Sequence, residues 1–383
     1  MSTLLRILIL TTIFFLTACA QRLVIGPSAY SALKRVSSVE LRHILDKESL
    51  KEASYRQLAV LDTLLSSPDL SAKRRAYYNE MADMTILILS KINNPDFESF
   101  IAENFDFYRA GKAGSVLFTG YYTPLLHGSR EKSETYLYPV YGIPDDLITV
   151  DLKKFGMSGR LRGTVREGEL IPYFKREEIE SKAGFDQRPI LYVDDRVALF
   201  FLHIQGSGIV EMDDGSRIRL NYATVNGHAY RSIGKSLILD EEIPGELMSM
   251  EAIRDYFKQY PEKIDYYFHQ NPSYVFFKED SGGPYGSSAA VVTPFRSIAA
   301  DSAYFPKFNL AYISTEIPDT KDASGNITTK PFSSLLYDQD SGGAIKGPRR
   351  IDIYFGEGDD AAFLAGHMKY KGSIYYLKKK EEK

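Results

Sequence analysis

The chain is expected to fold as a mainly β protein, barrel-like and decorated with helices. Three features predict this. From Val116 onward, short segments rich in Val, Ile, Tyr and Phe recur between Gly, Pro and Asp turns. Helical periodicity is concentrated in the first hundred residues. Regular strand–helix alternation is missing, and Gly156, Gly159 and Gly163 have the wrong spacing for a dinucleotide-binding fingerprint.

The chain opens on an export-like segment. Arg6 supplies positive charge, Ile7 to Phe15 form an apolar run, and Leu16-Thr17-Ala18-Cys19 follows. The run is too short for a membrane span. Leu-Thr-Ala-Cys resembles a bacterial lipobox, which implies removal of residues 1–18 and lipidation of Cys19. Ala20 rather than Asp after the cysteine resembles signals that sort a lipoprotein to the outer membrane, facing the periplasm. Residues 19–35 then read as the lipidated cysteine and a tether. Cys19 is the sole cysteine, so no intrachain disulfide staples the fold.

Leu41, Ile44, Leu45, Leu58, Leu61 and Leu65 recur at helical spacing and predict a helix ending before Pro68. A second helix spans about Ala72 to Lys91 and stops at Asn93-Asn94-Pro95. Phe97 to Arg109 reads as a short aromatic helix. Val116 to Thr123 reads as a strand halted by Pro124. Tyr136–Tyr141, Leu147–Leu152, Pro189–Tyr192 and Ala198–Ile204 read as strands, and Glu177–Ala183 as a helical turn or two. A hairpin is expected at Asp213-Asp214-Gly215, returning through Arg217–Tyr222. Glu246–Phe257 and Pro261–Phe268 read as helices. Tyr274–Phe277, Val291–Ala299, Leu310–Ser314 and Lys369–Leu377 read as strands, with residues 318–331 as a polar surface loop.

The composition narrows the function. With 44% hydrophobic residues the chain can bury a large core. A near balance of 47 basic and 50 acidic residues gives no polyanion-binding surface, so no nucleic-acid partner is expected. The 27 Tyr and 22 Phe are mostly core material, although aromatic rings also stack on sugars. The six histidines form no His-Glu-x-x-His helix, so no metal site is expected. Gly206-Ser207-Gly208 lacks the context of a hydrolase nucleophile elbow. If Ala198–Ile204 continues as a strand, His203, Gln205 and Ser207 share a face that bonds either a glycan or neighbouring backbone.

The most informative stretch runs from Asp340 to Gly358. Asp340 and Asp352 flank a Gly/Pro/Arg turn that also carries Lys346, Arg349 and Arg350. Ile351, Ile353 and Phe355 alternate with Asp352 and Tyr354, so a strand places Asp352 on the face opposite the isoleucines. Two readings stand: a catalytic acid whose pKa is raised by apolar surroundings, or an Asp paired with Arg349 or Arg350 at a strand edge.

Several ordered motifs resemble the membrane-bound lytic murein transglycosylase A family. They are Phe118-Thr119-Gly120-Tyr121-Tyr122-Thr123-Pro124, Pro172-Tyr173, Phe201 to Gly208, Asn226 to Gly234, Asn271 to Phe277, Arg296 to Ala299, and Asp340-x-Gly-Gly-Ala-Ile-Lys-Gly followed by Asp352-Ile-Tyr. The resemblance implies a double-psi β-barrel from residues 36–126 and 286–383, a smaller β-rich domain inserted at 127–285, and a glycan groove between them. It implies cleavage of the β-1,4 bond between N-acetylmuramic acid and N-acetylglucosamine in peptidoglycan, giving 1,6-anhydromuramyl ends. The catalytic aspartate falls on Asp352 and the supporting one on Asp340. The Pro348-Arg349-Arg350 turn is one residue longer than the family pattern. Substrate contacts are expected at Thr119, Tyr122, Thr123, His203, Gln205, Ser207 and Lys346. No metal or organic cofactor is implied. The implied partners are peptidoglycan glycan strands, the outer membrane through the lipid anchor, and a complex with cell-wall synthases. The alternatives weighed are a hydrolytic endoglycosidase using Asp352 as acid and Asp340 as base, and a non-catalytic peptidoglycan-binding lipoprotein.

Overall fold

A computed structural model describes residues 30–381, except 43–45, 158, 183 and 344. The expected signal segment, Cys19 and the first part of the tether lie outside the described residues. The tether's last residues are structured: strand β1 (Leu33–Val36) is paired, and the buried Tyr30 hydroxyl donates to the Leu377 carbonyl at 3.1 Å.

Helix α1 (Lys47–Leu65) starts where the Asp46 carboxylate accepts the Ser49 amide, and α2 (Ala72–Lys91) starts where Ser71 caps Arg74. Both follow the predicted periodicity. Helix α3 (Phe97–Asn104) is shorter than expected, because the chain switches to a two-residue period and becomes β2 (Phe105–Ala110). Phe105 and Phe107 of β2 are buried and pack with the helices. Strand β3 (Val116–Thr123) ends at Pro124 as predicted.

The next stretch builds β4 (Leu125–Ser129), β5 (Tyr138–Tyr141), β6 (Ile148–Asp151), β7 (Arg160–Arg166) and β8 (Glu169–Pro172). After α4 (Arg176–Glu180) and β9 (Pro189–Val193) comes a correction: residues 196–205 form helix α5 (Arg196–Gln205), not a strand. Asp195 accepts the Val197 and Ala198 amides, and Gly206 closes the helix at φ +82°. A short, wholly apolar run fits a buried helix or strand equally well, and here the caps decide.

The predicted hairpin is β10 (Ser207–Met212) and β11 (Arg217–Val225). Helices α6 (Ile233–Leu239), α7 (Met250–Gln259) and α8 (Ile264–His269) lead to β12 (Val275–Glu279) and β13 (Ser297–Ala299). The expected strand at Val291–Pro294 is only an isolated bridge through Val291. A second correction concerns residues 318–331, which extend the hairpin of β14 (Leu310–Lys321) and β15 (Ile327–Asp340). Polar threonines sustain this exposed ribbon; the Thr320 and Thr328 hydroxyls pair at 3.0 Å. Strand β16 (Arg350–Glu357), α9 (Gly358–His367) and β17 (Lys369–Lys379) complete the chain.

Strands β17, β14, β15, β13, β16 and β3 form a ring, closed where β3 pairs with β17. Its β13–β15 and β16–β3 contacts are parallel. The ring is a closed six-stranded barrel, in keeping with the mainly β, barrel-like fold expected. Phe118, Ile298, Leu336, Ile351, Ile353 and Phe355 fill its interior, with Ala361 and Ala365 of α9 packed on the same cluster. Helices α1 and α2 cover an outer face through Leu310, Leu335 and Tyr337. A second, six-stranded sheet (β12-β11-β10-β4-β9-β5) packs on α5, and β6-β7-β8 form a small third sheet.

Gly120 sits where β3 meets α9. A Cβ there would lie 2.5 Å from the Phe355 ring and 2.8 Å from the Ala365 Cα. Gly120→Ala is therefore expected to lose about 1–3 kcal/mol, read as a lowered urea midpoint with an unchanged slope. A variant as stable as the wild type would contradict this packing.

Candidate active site

Asp352 lies on the barrel's outer face because β16 alternates. Ile351, Ile353 and Phe355 belong to the interior cluster, so Asp352 and Tyr354 point the other way. In the parallel register Thr119 stands beside Asp352, and Tyr121 beside Tyr354. The Thr119 hydroxyl donates to Asp352 Oδ1. Further along the same face, the Thr123 and Tyr354 hydroxyls pair at 2.8 Å.

Asp340 reaches this face through a break in register. On β13 and β15, Ile298 pairs with Asp338 and Ala299 with Asp340, so Gln339 is extra. Asp338 points inward, where it meets Tyr376 and Lys307. With strict alternation Asp340 would point inward too. The bulge turns it outward, beside Ala299, whose other neighbour is Asp352. Gln339 is held firmly: it accepts from Ser297 Oγ at 2.6 Å and donates to Gln57 Oε1 of α1 at 2.8 Å, while its carbonyl accepts from Ser288 Oγ.

Burial raises the pKa of both carboxyl groups. For Asp352, desolvation outweighs the opposing pull of Arg350 and the Thr119 hydrogen bond, and the Asp340 charge adds to the rise. Arg350 Nε lies 3.1 Å from Asp352 Oδ1, with its guanidinium partly exposed. Asp352 is thus paired with Arg350, on a strand flanked on both sides rather than at a sheet edge, and burial still pushes it towards the protonated form. For Asp340, burial outweighs the Ser287 and Ser341 amides, each 2.7 Å from Oδ1, and the charge of Lys307. Lys307 Nζ, itself buried, donates to the Asp338 carboxylate and to the Ala300 and Asp340 carbonyls. Tyr230, from the loop before α6, lies near enough to Arg350 for the guanidinium to act on its phenol.

Asp340, Asp352 and Thr119 thus come together, and the other predicted residues do not. Tyr122 is buried; its amide donates to Gln205 Oε1 at 3.3 Å and its hydroxyl accepts from Arg254 at 3.3 Å. Those bonds join β3 to α5 and α7. Thr123 is satisfied by Tyr354. The predicted shared face of His203, Gln205 and Ser207 does not form, since the first two lie on α5 and Ser207 opens β10. His203 is buried, its Nδ1 3.0 Å from the Arg176 guanidinium, and burial pushes its pKa well down. Lys346 is exposed on the turn after β15, which Asp301 anchors by accepting the Gly347 amide at 2.8 Å.

Sequence reasoning missed Tyr121, although period two on β3 groups it with Thr119 and Thr123 rather than with Tyr122. Arg350 pairs with Asp352, as one of the two readings expected, and its added contact with Thr119 was not foreseen.

Two family models match the chain: the MltA specific insert domain over residues 117–278 and the 3D domain over residues 296–378. The membrane-bound lytic murein transglycosylase A of Escherichia coli K12 is 32% identical over 316 residues, covering 82% of this chain and 78% of that protein. Its Vibrio cholerae counterpart is 28% identical over 381 residues, covering 97% and 94%. The crystal structure of Escherichia coli MltA with bound chitohexaose superimposes with a TM-score of 0.68 at 28% identity, covering 91% of this chain and 95% of that one.

The raised pKa of Asp352 has a consequence for stability. A carboxyl raised on folding contributes stability present below its unfolded value, about 4, and lost as pH rises through the folded value. Asparagine stays neutral and escapes that loss. Asp352→Asn is expected to be more stable than the wild type at pH 7 and to match it below about pH 3, in urea midpoints measured across pH. A variant less stable at pH 7 would refute the sign.

Proposed function

The chain belongs to the membrane-bound lytic murein transglycosylase A family, and on that premise we propose that it cleaves the β-1,4 bond from N-acetylmuramic acid to N-acetylglucosamine in peptidoglycan. The observation that carries this reading is Asp352: a buried carboxyl with a raised pKa, beside a second carboxyl, on the barrel's outer face. Protonated Asp352 gives its proton to the glycosidic oxygen as that bond to C1 breaks. The same carboxylate then takes the proton from the muramyl 6-hydroxyl, whose oxygen bonds to its own C1. The product is a 1,6-anhydromuramyl end and water is not consumed. An internal nucleophile has the orientation advantage of an intramolecular step. It lets one acid/base serve where ordinary glycosidases need an acid and a separately placed partner.

Asp340 supports the reaction as a fixed anion beside the sugar, where positive charge develops at C1. Thr119 and Arg350 orient Asp352. The glycan lies over the face that carries the two carboxyls, beneath the Tyr230 loop. The division into a barrel and an inserted domain at residues 127–285 belongs to the same proposal; the insert-domain match and the second sheet, whose strands run from Leu125 to Glu279, support it. Attachment at Cys19 to the outer membrane, facing the periplasm, accords with the relatives' description as membrane-bound. Among the described residues no helix is long and apolar enough to cross a membrane.

Mass spectrometry of purified murein digested with wild-type protein is expected to show anhydromuramyl ends. Asp352→Asn should stay folded and lose about 10²–10⁴-fold in rate, the usual share of general acid–base catalysis. Reducing-end products throughout would sink the intramolecular mechanism. Undiminished binding without any cleavage by the wild type would favour a glycan-binding scaffold.

A further inference from the structure

Tyr121 is the group at this site that the mechanism leaves unused. It stands two residues beyond Thr119 on the same face of β3, in register with Tyr354, and the two rings lie 5.1 Å apart. Its hydroxyl is buried and makes no well-formed hydrogen bond among the described residues. A buried hydroxyl without a partner costs about 1–3 kcal/mol, so its retention calls for a reason. The reason lies across the strand: the Asp340 carboxylate is near enough to act on the phenol as a hydrogen-bond acceptor, and Asp352 acts on it more weakly. Asp340 has an oxygen to offer, because the Ser287 and Ser341 amides both engage Oδ1.

We propose that Tyr121 is a positioning residue whose phenol donates to the Asp340 carboxylate and so keeps the single proton of the aspartate pair on Asp352. This rests on the reaction proposed above. Two neighbouring carboxyls at an active site share one proton, and the enzyme works only when the acid holds it. The surrounding charges do not assign it unaided. Asp352 faces Arg350 and the Thr119 hydroxyl, which favour its ionisation. Asp340 faces two amides and Lys307, which favour its ionisation as well. Beside Tyr121, Tyr354 is protonated, its pKa driven up by burial, with Glu357, Arg219 and Arg56 acting on it from further away. A neutral phenol aimed at Asp340 alone breaks this near-symmetry. Burial and the Asp340 charge push the Tyr121 pKa far up, so it remains a donor throughout.

The effect on the pH profile has a definite sign. The pair loses one proton to become active and a second to become inactive, giving a bell with two limbs. A donor to ionised Asp340 stabilises the singly charged pair over the neutral one, which lowers the acid limb. Asp340 is ionised on both sides of the second loss, so the alkaline limb stays in place. Tyr121→Phe keeps the ring and removes the donor. It is expected to raise the acid limb of kcat by about one pH unit and lower the plateau of kcat about twofold, as the proton divides between the two carboxyls, with KM nearly unchanged. Placing 3-fluorotyrosine at position 121 makes the phenol a stronger donor and should move the acid limb down. A Tyr121→Phe profile that overlays the wild type, or one that falls in height without shifting, overturns the proposal, as does a fluorinated protein with an unmoved limb. Asp352→Asn run alongside separates the two levels. If it is inactive while Tyr121→Phe leaves the limb in place, only this inference fails; if it turns over normally, the mechanism fails and takes this inference with it.

Discussion

One constraint governs the site: two carboxyl groups are held out of water on one face of a barrel whose strand alternation would separate them. The bulge at Gln339 resolves it by adding a residue between an inward Asp338 and an outward Asp340. Everything nearby serves to hold that break in place. Ser297 and Gln57 bind the extra side chain, Ser288 binds its carbonyl, and buried Lys307 joins the carbonyls of Ala300 and Asp340 to the Asp338 carboxylate. A buried ammonium with these partners is fully satisfied, which is the condition under which a buried charge is tolerable.

Helix α1 connects this arrangement to the rest of the fold. Gln57 donates to the Phe308 carbonyl at 2.6 Å besides meeting Gln339, and the Ser54 hydroxyl pairs with Tyr337 at 2.8 Å. Arg56 donates to the Val292 carbonyl at 2.8 Å. In return, Arg296, directly before β13, donates to the Asp46 carbonyl at the helix start and to Ser49 Oγ, both at 2.7 Å. Burial brings the Arg296 pKa down to about 10, still far above neutrality, so it stays charged. Helix α1 thus braces β13 and β15, the strands beside and bearing Asp340. Preorganised groups of this kind need not reorganise when charge develops in a reaction.

Much of this was legible in the residues themselves. The period-two pattern around Asp352 placed it opposite Ile351 and Ile353, and the helices before Pro68 and Pro95 announced themselves by spacing and caps. What could not be read was of two physical kinds. The Ala198–Ile204 run is apolar at every position, so it carries no period, and only its caps show it to be helical. The outward turn of Asp340 depends on partners outside its own segment, Ser288, Ser297 and the distant Gln57, and a bulge leaves no local mark. Tyr121 was a different kind of miss. Its parity with Thr119 was visible in the sequence, yet Tyr122 took its place among the expected contacts. Family-level likeness located the segment but not the face.

The proposed chemistry rests on one condition: desolvation prevails over Arg350 and leaves Asp352 holding a proton more tightly than an ordinary aspartate does. Its most direct test is a ¹³C NMR titration of the side-chain carboxyl carbons in the folded, ligand-free protein, with the Asp352 signal assigned by its loss in Asp352→Asn. A midpoint clearly above about 4 is the predicted result. A midpoint at or below that value would mean that the guanidinium wins, and that this carboxyl is not poised to act as an acid.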